Sequence, residues 1–404
     1  MNYKETIDWL ENIPTSFDSN YNNYELKLNS ISSFLDFLGN PQNNLKFIHV
    51  GGTNGKGSTC HIISSILQEH YFIVGLFSSP HIYDFKERIK INSDFIDEKF
   101  IIDFIKLNKE YILKNNLSFF EISFAMSLKY FKFKKVEYAV IEVGLGGRLD
   151  STNIITPLVS VITNIGYDHK NFLGNSLNEI AKEKAGIIKQ GVPVVIGESN
   201  DITSKVFNNY CKKIKTNIFY VNQNNHKHDT DLTGSYQNKN IKTAILALKK
   251  VKSIEINDNK ILKGIKNVNR NTKLIGRWQI VQENPAVIFD VAHNINSIEI
   301  IFDELKNIDG LIRIVFGTLD KIDQLECLKV FPKNYKYYLC SPSVKRAIQL
   351  DKLEKHADKL KIDYKSFDSP NCAFQKALKD SFKDDTIIVT GSNYLFSEIT
   401  LENN

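Results

Sequence analysis

The sequence has few cysteines and no arrangement of them that indicates a metal site or a cross-linked fold. Its 404 residues include five cysteines, and no two of them form a Cys-X-X-Cys pair. This spacing predicts neither a zinc knuckle nor a disulfide framework. We therefore expect the protein to reside in a reducing compartment, most simply the cytoplasm.

The sequence also lacks long apolar runs. Residues 1–12 contain four charged side chains and no apolar core of signal-peptide length. Elsewhere no uninterrupted apolar stretch reaches the length that is needed to span a bilayer. We therefore expect no membrane partner.

Basic residues are not gathered into a long block. The net charge of +6 is spread along the chain, with only short clusters such as residues 132–135. A modest, distributed positive charge suits small anionic substrates and is weak evidence for nucleic acid. The expected partners are therefore small molecules, with no nucleic acid among them.

Short apolar segments alternate with segments of helical spacing, which is the pattern of a mostly parallel sheet wrapped by helices. A chain of this length exceeds one ordinary core, so two domains are expected. The polar residues 267–272 suggest the boundary, whereas the pairing of residues 198–240 is unclear. We predict an α/β protein with a P-loop ATPase-type, mostly parallel sheet domain over residues 1–272 and a smaller Rossmann-like α/β domain over residues 273–404. Strands are predicted at 47–50, 72–77, 136–143, 158–163, 192–196, 286–289, 311–316, 337–339 and 386–389, and helices at 58–69, 100–114, 121–131, 178–188 and 241–251.

A glycine-rich segment joins the first predicted strand to the first predicted helix. Residues 51–59 read Gly-Gly-Thr-Asn-Gly-Lys-Gly-Ser-Thr. Glycines let the main chain approach phosphate oxygens, and backbone N–H groups at a helix N-terminus attract them. Lys56 lies beside this turn, and the Ser58 hydroxyl is placed to bind the magnesium ion of a nucleotide. The strict phosphate-loop spelling lacks the glycine that follows Lys56 here, but the strand–turn–helix context predicts phosphate binding.

The strand at 136–143 carries a carboxylate near its carboxyl end, where ligands gather in open parallel sheets. Glu142 is predicted to bind magnesium there, directly or through water. The following Gly144-Leu-Gly-Gly147 lacks the G-X-G-X-X-G spacing, so we reject a dinucleotide fingerprint. Arg148 and Asp150 are placed to line a substrate pocket, with an ordinary surface charge as the alternative for each.

A second polar group follows the strand at 158–163. His169 can bind a metal through a neutral imidazole nitrogen, and Asp168 can orient it or assist catalysis. Magnesium prefers oxygen ligands, so the residues alone support this only weakly. Lys184, fifteen residues further on, is by its position an ordinary lysine near a helix C-terminus.

The turn after the second strand, Ser78-Ser79-Pro80-His81, has two interpretations. Its hydroxyls can reach magnesium, and the nearby Arg88 can meet a substrate carboxylate in a two-pronged contact. The alternative is a purely structural turn.

The second predicted domain repeats the arrangement of a strand followed by polar residues. After the strand at 286–289, Asp290 is placed to bind ribose hydroxyls and His293 to contact phosphate. Arg277 lies near the domain junction. An arginine that reaches from one domain to a nucleotide held on the other would couple domain closure to catalysis.

Together these motifs resemble the folate-handling branch of the Mur ligases, namely folylpolyglutamate synthase and the bifunctional dihydrofolate synthase/folylpolyglutamate synthase. The most specific match is Glu-Val-Gly-Leu-Gly-Gly-Arg-Leu-Asp-Ser-Thr-Asn at 142–153. Among the departures, Gly51 stands where alanine is usual, and residues 24–31 match poorly a segment that helps to form the dihydropteroate site of bifunctional members. The other matching segments are 38–42, 49–58, 78–81, 87–89, 119–121, 163–169, 180–187, 237 with 240, 276–277, 290–294 and 391–392.

The resemblance implies a role for particular residues. It implies carbamylation of Lys184, which replaces an ammonium beside metal ions with two anionic oxygens. It implies ATP as cosubstrate and two Mg²⁺ ions, and it leaves K⁺ open as a further ion. The implied ATP contacts are Asn54, Gly55, Lys56, Gly57, Ser58, Asn240, Arg277 and Asp290, the implied metal ligands are Ser58, Ser79, Glu142 and His169, and the implied pterin contacts are Ser78, Ser79, Pro80, His81, Phe119, Phe120, Glu121, Ile122, Leu149, Asp150 and Ser151.

The implied activity is that of an ADP-forming acid–amino-acid ligase acting as a monomer. A substrate carboxylate attacks the γ-phosphate of ATP, and the amine of L-glutamate then displaces phosphate from the acyl phosphate. The acceptor is dihydropteroate, a reduced folate or both. One alternative is a peptidoglycan-type Mur ligase, but only about fifty residues precede the phosphate loop, too few for that family's additional domain. The other is a P-loop regulatory ATPase.

Overall fold

The structure is a computed structural model that describes residues 1–14, 27–222 and 227–401. Residues 24–26 of the poorly matching segment 24–31 lie outside these ranges. The contacts divide the chain into two compact units. The first comprises Met1–Gly166, Leu173–Asp231 and Gln237–Lys273, and the second comprises Tyr167–Phe172, Leu232–Tyr236 and Leu274–Asn404.

The first unit is built on a sheet that has eight strands among the described residues, in the order β4-β3-β2-β5-β1-β6-β7-β8. The strands from β2 to β8 in this order pair in parallel, and the β2–β3 and β3–β4 pairs are antiparallel. The elements of this part of the chain are α1 (Tyr3–Glu11), α2 (Lys27–Phe37), β1 (Lys46–Gly51), α3 (Lys56–Glu69), β2 (Val74–Phe77), β3 (Ile89–Ile91), β4 (Asp94–Phe95), α4 (Glu98–Lys114), α5 (Phe119–Phe133), β5 (Tyr138–Glu142), β6 (Val159–Ile162), α6 (Lys170–Leu173, at the passage between the units), α7 (Leu177–Ala185), β7 (Val194–Ile196), α8 (Asp201–Lys213), β8 (Ile218–Tyr220), α9 (Gln237–Lys249), α10 (Asp258–Lys266) and α11 (Val268–Thr272).

Local sequence explains where several of these helices begin. Ser118 and Glu121 form a capping box at the start of α5, and Ser176 and Glu179 form one at the start of α7. The central strands β1, β5 and β6 are almost wholly buried, as expected for parallel strands covered on both faces. Their continuous apolar runs made them recognisable in the sequence.

Helix α8, strand β8 and the start of α9 lie in the stretch 198–240, whose pairing was unclear from the sequence. Helix α8 starts at a capping box of Asn200 and Thr203. Strand β8 is an edge strand whose side chains are half-buried or exposed, so it lacks the apolar run of a central strand.

The second unit contains a sheet with six strands among the residues described, in the order β13-β12-β11-β14-β10-β9. All neighbours pair in parallel except β9 and β10. The sequence did not predict β9 and β13, which are the partly exposed edge strands. The elements are β9 (Gln279–Glu283), β10 (Ala286–Phe289), α12 (Ile295–Leu305), β11 (Ile312–Phe316), α13 (Ile322–Leu325), β12 (Lys336–Cys340), α14 (Leu350–Lys359), β13 (Tyr364–Phe367), α15 (Pro370–Lys379) and β14 (Thr386–Thr390).

The predicted α/β class with mostly parallel sheets is confirmed in both units. All five cysteines are free thiols, and only that of Cys372 is exposed. Within the described ranges no helix combines the length and the apolarity needed to cross a membrane.

Candidate active site

The glycine-rich loop between β1 and α3 adopts a backbone that two of its glycines make possible. Gly52 and Gly55 have φ angles of 143° and 77°, values that side chains rarely allow. A Cβ at Gly52 would lie 1.9 Å from the hydroxyl oxygen of Thr163, and one at Gly55 would lie 2.3 Å from Oδ1 of Asn240. Both positions therefore require glycine.

The loop is held in shape by residues that follow the neighbouring strand β6. The backbone N–H of Thr53 donates to the carbonyl of Asn164 at 3.0 Å, and that of Asn54 donates to the Asn164 side chain at 2.9 Å. The hydroxyl of Thr163 donates to the carbonyl of Asn54 at 2.6 Å. Neither Thr163 nor Asn164 was predicted to have a role from the sequence. Their position directly after a strand that neighbours β1 was the signal that could have revealed it.

Two lysines bind the same loop carbonyl. The ammonium of Lys56 donates to the carbonyls of Gly52 and Thr53 at 3.1 and 2.9 Å, and that of Lys184 donates to Gly52 at 2.8 Å. Lys184 is only 3% exposed, so it is not the ordinary surface lysine that its helix position suggests. The two side chains bring positive charge to the loop, which suits an anionic ligand.

The first turn of α3 retains polar groups that the protein does not satisfy. The N-cap residue of this helix is Gly55, which has no side chain that could cap it. The Ser58 hydroxyl is buried, and none of the described residues forms a hydrogen bond with it. Buried polar groups nearly always have partners, so an unsatisfied hydroxyl beside open N–H groups indicates a ligand.

A carboxylate lies at the end of β5, the strand that pairs with β1. Glu142 is 2% exposed, and its Oε2 accepts a hydrogen bond from the Ser79 backbone at 2.9 Å. Hydroxyl and carboxylate oxygens are the donors that Mg²⁺ prefers, so Ser58 and Glu142 fit this ion chemically. The described residues contain no cluster of three or more His, Cys, Asp or Glu side chains that would hold a metal ion. An Mg²⁺ ion here would also need oxygens from the nucleotide or water, as is usual for it. The predicted ligand His169 belongs to the second unit.

The segment from Ser78 to Arg88 forms a loop that is held in place by hydrogen bonds to its own side chains. The carboxylate of Glu87 accepts hydrogen bonds from three consecutive backbone N–H groups, those of residues 82–84, at 2.7–2.9 Å. Arg88 is buried, donates through Nε to Nδ1 of His81 at 2.7 Å, and places its guanidinium 4.9 Å from the Phe119 ring centroid. Ser78 is buried, Ser79 is half-buried, and Pro80 is exposed.

The start of α5 contributes an aromatic ring and a carboxylate. The ring of Phe120 packs against Phe77 with centroids 5.6 Å apart. Oε2 of Glu121 accepts from the Ser118 N–H and hydroxyl at 2.8 and 2.7 Å. Its buried Oε1 forms no hydrogen bond with any residue that the structure describes. Glu121 therefore offers one acceptor to a ligand.

The second glycine-rich loop, residues 144–153, is closed by its own side chains. Asp150 accepts from the N–H of Leu145 at 2.8 Å and from the N–H and hydroxyl of Thr152 at 3.0 and 2.5 Å. Burial raises the pKa of the Asp150 carboxyl, and these hydrogen bonds oppose the rise. The Thr152 hydroxyl also contacts Nε2 of His49 on β1 at 2.8 Å. Leu149 is half-buried, Ser151 is buried, and the exposed Arg148 pairs with Glu183 at 3.0 Å.

In the second unit, Asp290 lies at the end of β10. It accepts hydrogen bonds from the Tyr236 hydroxyl at 2.9 Å and from the backbone N–H groups of Trp278 and Ala292 at 2.8 and 2.9 Å. Burial raises the pKa of Asp290, and the nearby Arg277 guanidinium opposes that rise. In the first unit, Asn240 donates to the side chain of Gln237 at 2.9 Å.

The second unit also brings together histidines that are far apart in the sequence. Asp168 lies 3.8 Å from Nε2 of His169 and 3.7 Å from Nε2 of His293, and it accepts from the Asn294 side chain at 3.4 Å. His169 has a left-handed backbone with φ of 50°. Residues 168–169 and 290–294 are separate motifs in the sequence, because only folding brings Asp168 close to His293 and Asn294.

Comparisons with known proteins agree with this arrangement. Two family models match the chain: the Mur ligase middle domain over residues 50–272 and the Mur ligase glutamate ligase domain over residues 276–393. The dihydrofolate synthase/folylpolyglutamate synthase of Buchnera aphidicola subsp. Schizaphis graminum is 36% identical over 93% of this chain and 91% of its own length.

Solved structures extend the similarity to three dimensions. E. coli FolC in complex with DHPP and ADP has a TM-score of 0.84 and 29% identity, covering 98% of this chain and 96% of that one. A bifunctional folylpolyglutamate synthase/dihydrofolate synthase with Mn, AMPPNP and L-glutamate bound has a TM-score of 0.83 and 27% identity, covering 98% and 97%. The chain therefore belongs to the Mur ligase family, and within it to the dihydrofolate synthase/folylpolyglutamate synthase branch.

Proposed function

We propose that this protein is an ATP-dependent ligase that joins L-glutamate to the carboxylate of dihydropteroate, of a reduced folate or of both, releasing ADP and phosphate. The observation that carries the proposal is the buried, unsatisfied Ser58 hydroxyl at the uncapped N-terminus of α3, beside Lys56. The names of the relatives and the ligands of their structures support the choice of substrates.

The reaction has two steps. An oxygen of the acceptor carboxylate attacks the γ-phosphorus of ATP, and the bond from that phosphorus to the β–γ bridging oxygen breaks. The neutral amine of glutamate then attacks the acyl carbon, the bond between this carbon and the phosphate oxygen breaks, and the amine loses a proton. The first step moves negative charge across the phosphates, so electrostatic stabilisation and positioning are the main demands on the protein.

The glycine-rich loop meets these demands with groups of two kinds. Its backbone N–H groups and the start of α3 hold phosphate oxygens, and Lys56 supplies a positive charge. Thr163 and Asn164 hold the loop in shape, so little reorganisation is needed when the nucleotide binds. Asn54, Gly55 and Gly57 would contribute through their backbones. Asn240, and in the second unit Arg277 and Asp290, are proposed nucleotide contacts because of the family resemblance, and His293 is proposed to contact phosphate because it follows the strand β10.

We infer that Ser58, Ser79 and Glu142 hold Mg²⁺ in the first unit. His169 of the second unit is proposed as a ligand from its imidazole chemistry and from the resemblance, and Asp168 is proposed to orient it or to assist catalysis. The count of two ions and the involvement of K⁺ are proposed from the resemblance alone. When bound, Mg²⁺ neutralises charge on the phosphates during transfer. Ser58 fits because its buried hydroxyl has no partner among the described residues, and Glu142 fits because it is a buried carboxylate at the end of β5, the strand that pairs with β1.

Lys184 is a proposed site of carbamylation. Its side chain is almost completely buried against the phosphate loop, where its nitrogen lies 2.8 Å from the carbonyl oxygen of Gly52. A carbamate on this nitrogen would replace the positive charge with two oxygens that suit a metal ion. The acceptor is proposed to contact Ser78–His81, Arg88, Phe120, Glu121 and residues 149–151.

The test supplies the protein with ATP, magnesium and glutamate, and with either dihydropteroate or tetrahydrofolate. We expect one or both acceptors to gain one glutamyl unit by mass spectrometry, with one ADP released per product. ADP release should need both glutamate and acceptor. ADP release that needs neither would indicate a regulatory ATPase. Failure of both acceptors would contradict the proposal and leave the peptidoglycan-type alternative.

A further inference from the structure

The N-terminal helix α1 contacts the loop that carries Arg88, and neither step of the proposed reaction uses this contact. At the start of the helix, the Tyr3 hydroxyl donates to Asp84 at 2.6 Å. At its end, Oε1 of Glu11 lies 3.6 Å from Nε2 of His81. Helix α1 therefore contacts both ends of the segment 81–84. One of these ends is His81, which accepts the hydrogen bond from Arg88.

Glu11, His81 and Arg88 are linked in series, and the donor and the acceptor of the bond between Arg88 and His81 can be assigned. Arg88 has no acceptor atom, so in its 2.7 Å contact with His81 the arginine Nε–H must donate and Nδ1 of the ring must accept. A neutral imidazole carries one proton, which must then be on Nε2. That N–H points towards the Glu11 carboxylate, which favours this tautomer and this ring orientation.

His81 limits the movement of the Arg88 guanidinium at its Nε edge, and the Phe119 ring limits it at one face. Because Nε is engaged by His81, a two-pronged contact with a carboxylate would have to use the two Nη groups. Such a contact needs a fixed guanidinium plane, and a freely rotating arginine would lose side-chain entropy on binding. The pinning of residues 82–84 by Glu87 holds the loop itself in place.

We propose that Glu11 and His81 are positioning residues that orient Arg88 to bind a carboxylate of the acceptor acid. The proposal rests on the proposed function only for the identity of that acid. Glu11 acts through His81, and His81 acts through Arg88, so this role does not depend on the proposed contact of His81 with the acceptor. The effect of Glu11 should be the smaller one, because it is half exposed and its contact is longer.

The kinetic test varies the acceptor at saturating ATP and glutamate. We expect His81→Leu to raise KM for the acceptor by about 10–100-fold, in line with the loss of a hydrogen bond to a charged group. His81→Asn, whose side-chain oxygen can accept from Arg88, should restore most of that loss. Glu11→Ala should raise the same KM by about two- to fivefold, and Glu11→Gln, which keeps an acceptor, should stay near wild type.

Asp8→Ala is the matched control for Glu11→Ala. Asp8 is exposed on the same helix, and no contact joins its side chain to the loop among the residues described. It should leave all constants unchanged. KM for ATP should be unchanged in every variant, and the thermal unfolding midpoint should be unchanged in the Glu11 and Asp8 variants, which separates positioning from a general loss of structure.

A second measurement does not depend on activity. Nitrogen-15 spectra of the His81 ring should show the proton on Nε2 in the wild type, in Glu11→Gln and in Glu11→Ala, because Arg88 donates to Nδ1 in all three. A wild-type ring protonated on Nδ1 would overturn the proposal. An unchanged acceptor KM in His81→Leu, in a protein that forms product, would also overturn it. A wild type that forms no product from either acid, with the expected tautomer, would count against the proposed function instead.

Discussion

The loops that follow the paired strands β1 and β5 are both rich in glycine, yet they use their polar groups in opposite ways. The β1 loop is held by Thr163, Asn164 and Lys184 from outside and by its own Lys56, and its Ser58 hydroxyl has no partner among the described residues. The β5 loop is held mainly by its own Asp150, whose two carboxylate oxygens accept three hydrogen bonds from within the loop. It is also bonded to the carbonyls of Glu183 and Gly186, and only Oδ1 of Asn153 is a buried polar side-chain atom of this loop without a partner among the described residues.

The difference separates a binding loop from a loop that supports itself. An unsatisfied buried polar group costs free energy, so its presence at the β1 loop is best explained by a ligand that supplies the missing partner. A loop whose central carboxylate is satisfied from within gains a fixed shape, and that carboxylate has less to offer a ligand. The proposed contact of Asp150 with the acceptor remains a prediction, and the geometry gives this residue a structural role whether or not that contact exists.

The largest expected effect follows from removing the positive charge of Lys56 from the β1 loop. Lys56→Ala should reduce ADP release by roughly 10²–10³, as observed when single charge-stabilising groups are removed from active sites. Its hydrogen bonds to Gly52 and Thr53 are only partly buried, so the free energy of unfolding should change by about 1 kcal/mol or less. Stopped assays of ADP and thermal unfolding measure the two quantities.

Lys46→Ala serves as a control, since this lysine lies at the exposed start of β1, away from the loop. It should keep normal turnover. Near-normal ATP consumption by Lys56→Ala would refute the role of Lys56 in phosphate binding.

Removing the Asp150 carboxylate from the β5 loop should instead mainly lower the free energy of unfolding. Asp150→Ala removes the acceptor for two backbone N–H groups, and each unsatisfied buried donor costs about 1–3 kcal/mol. We expect the free energy of unfolding to fall by about 3 kcal/mol in urea titrations. Asp103→Ala, at an exposed position on α4, should change it by less than about 0.5 kcal/mol. Unchanged stability together with a raised acceptor KM would show that Asp150 serves the substrate and not the loop.

A smaller effect should appear as a dependence of stability on pH. Burial lowers the pKa of His49, which contacts Thr152 of the β5 loop, from 6.5 to about 3. As the pH falls below about 6.5, the unfolded chain gains a proton that the folded chain does not, so folded stability is lost. His49→Gln lacks this titration. The stability advantage of wild type over the variant should therefore be constant above pH 7 and about 2 kcal/mol smaller at pH 5. An advantage that stays equal at both pH values would contradict the burial of a neutral histidine.

The parts of the fold that were predicted correctly are those with strong local patterns. Strands such as β1 and β5 are apolar along their whole length because both faces are covered. The edge strands β9 and β13 face solvent in part, so their sequences mix polar and apolar residues and gave no signal. The glycine-rich loop was recognised because strand, glycines, lysine, hydroxyl and helix follow one another in the chain.

The site shows the same division. Lys184 has the sequence setting of a surface lysine, and only the packing of α7 buries its ammonium against Gly52. Asp168 and His293 are separated by more than a hundred residues, so nothing local indicates that they lie 3.7 Å apart. Glu11 on α1 was not singled out either, because a half-exposed glutamate at a helix end has many ordinary explanations.

The sequence by itself determined the α/β class, the phosphate-binding loop and the resemblance to a ligase family, because each is written in consecutive residues whose spacing has one good physical interpretation. Only the tertiary structure decided which polar groups are satisfied and which still need a partner. Satisfaction depends on residues that the chain brings together from distant positions. The unsatisfied hydroxyl of Ser58, the closed carboxylate of Asp150 and the positioned guanidinium of Arg88 are all of this kind.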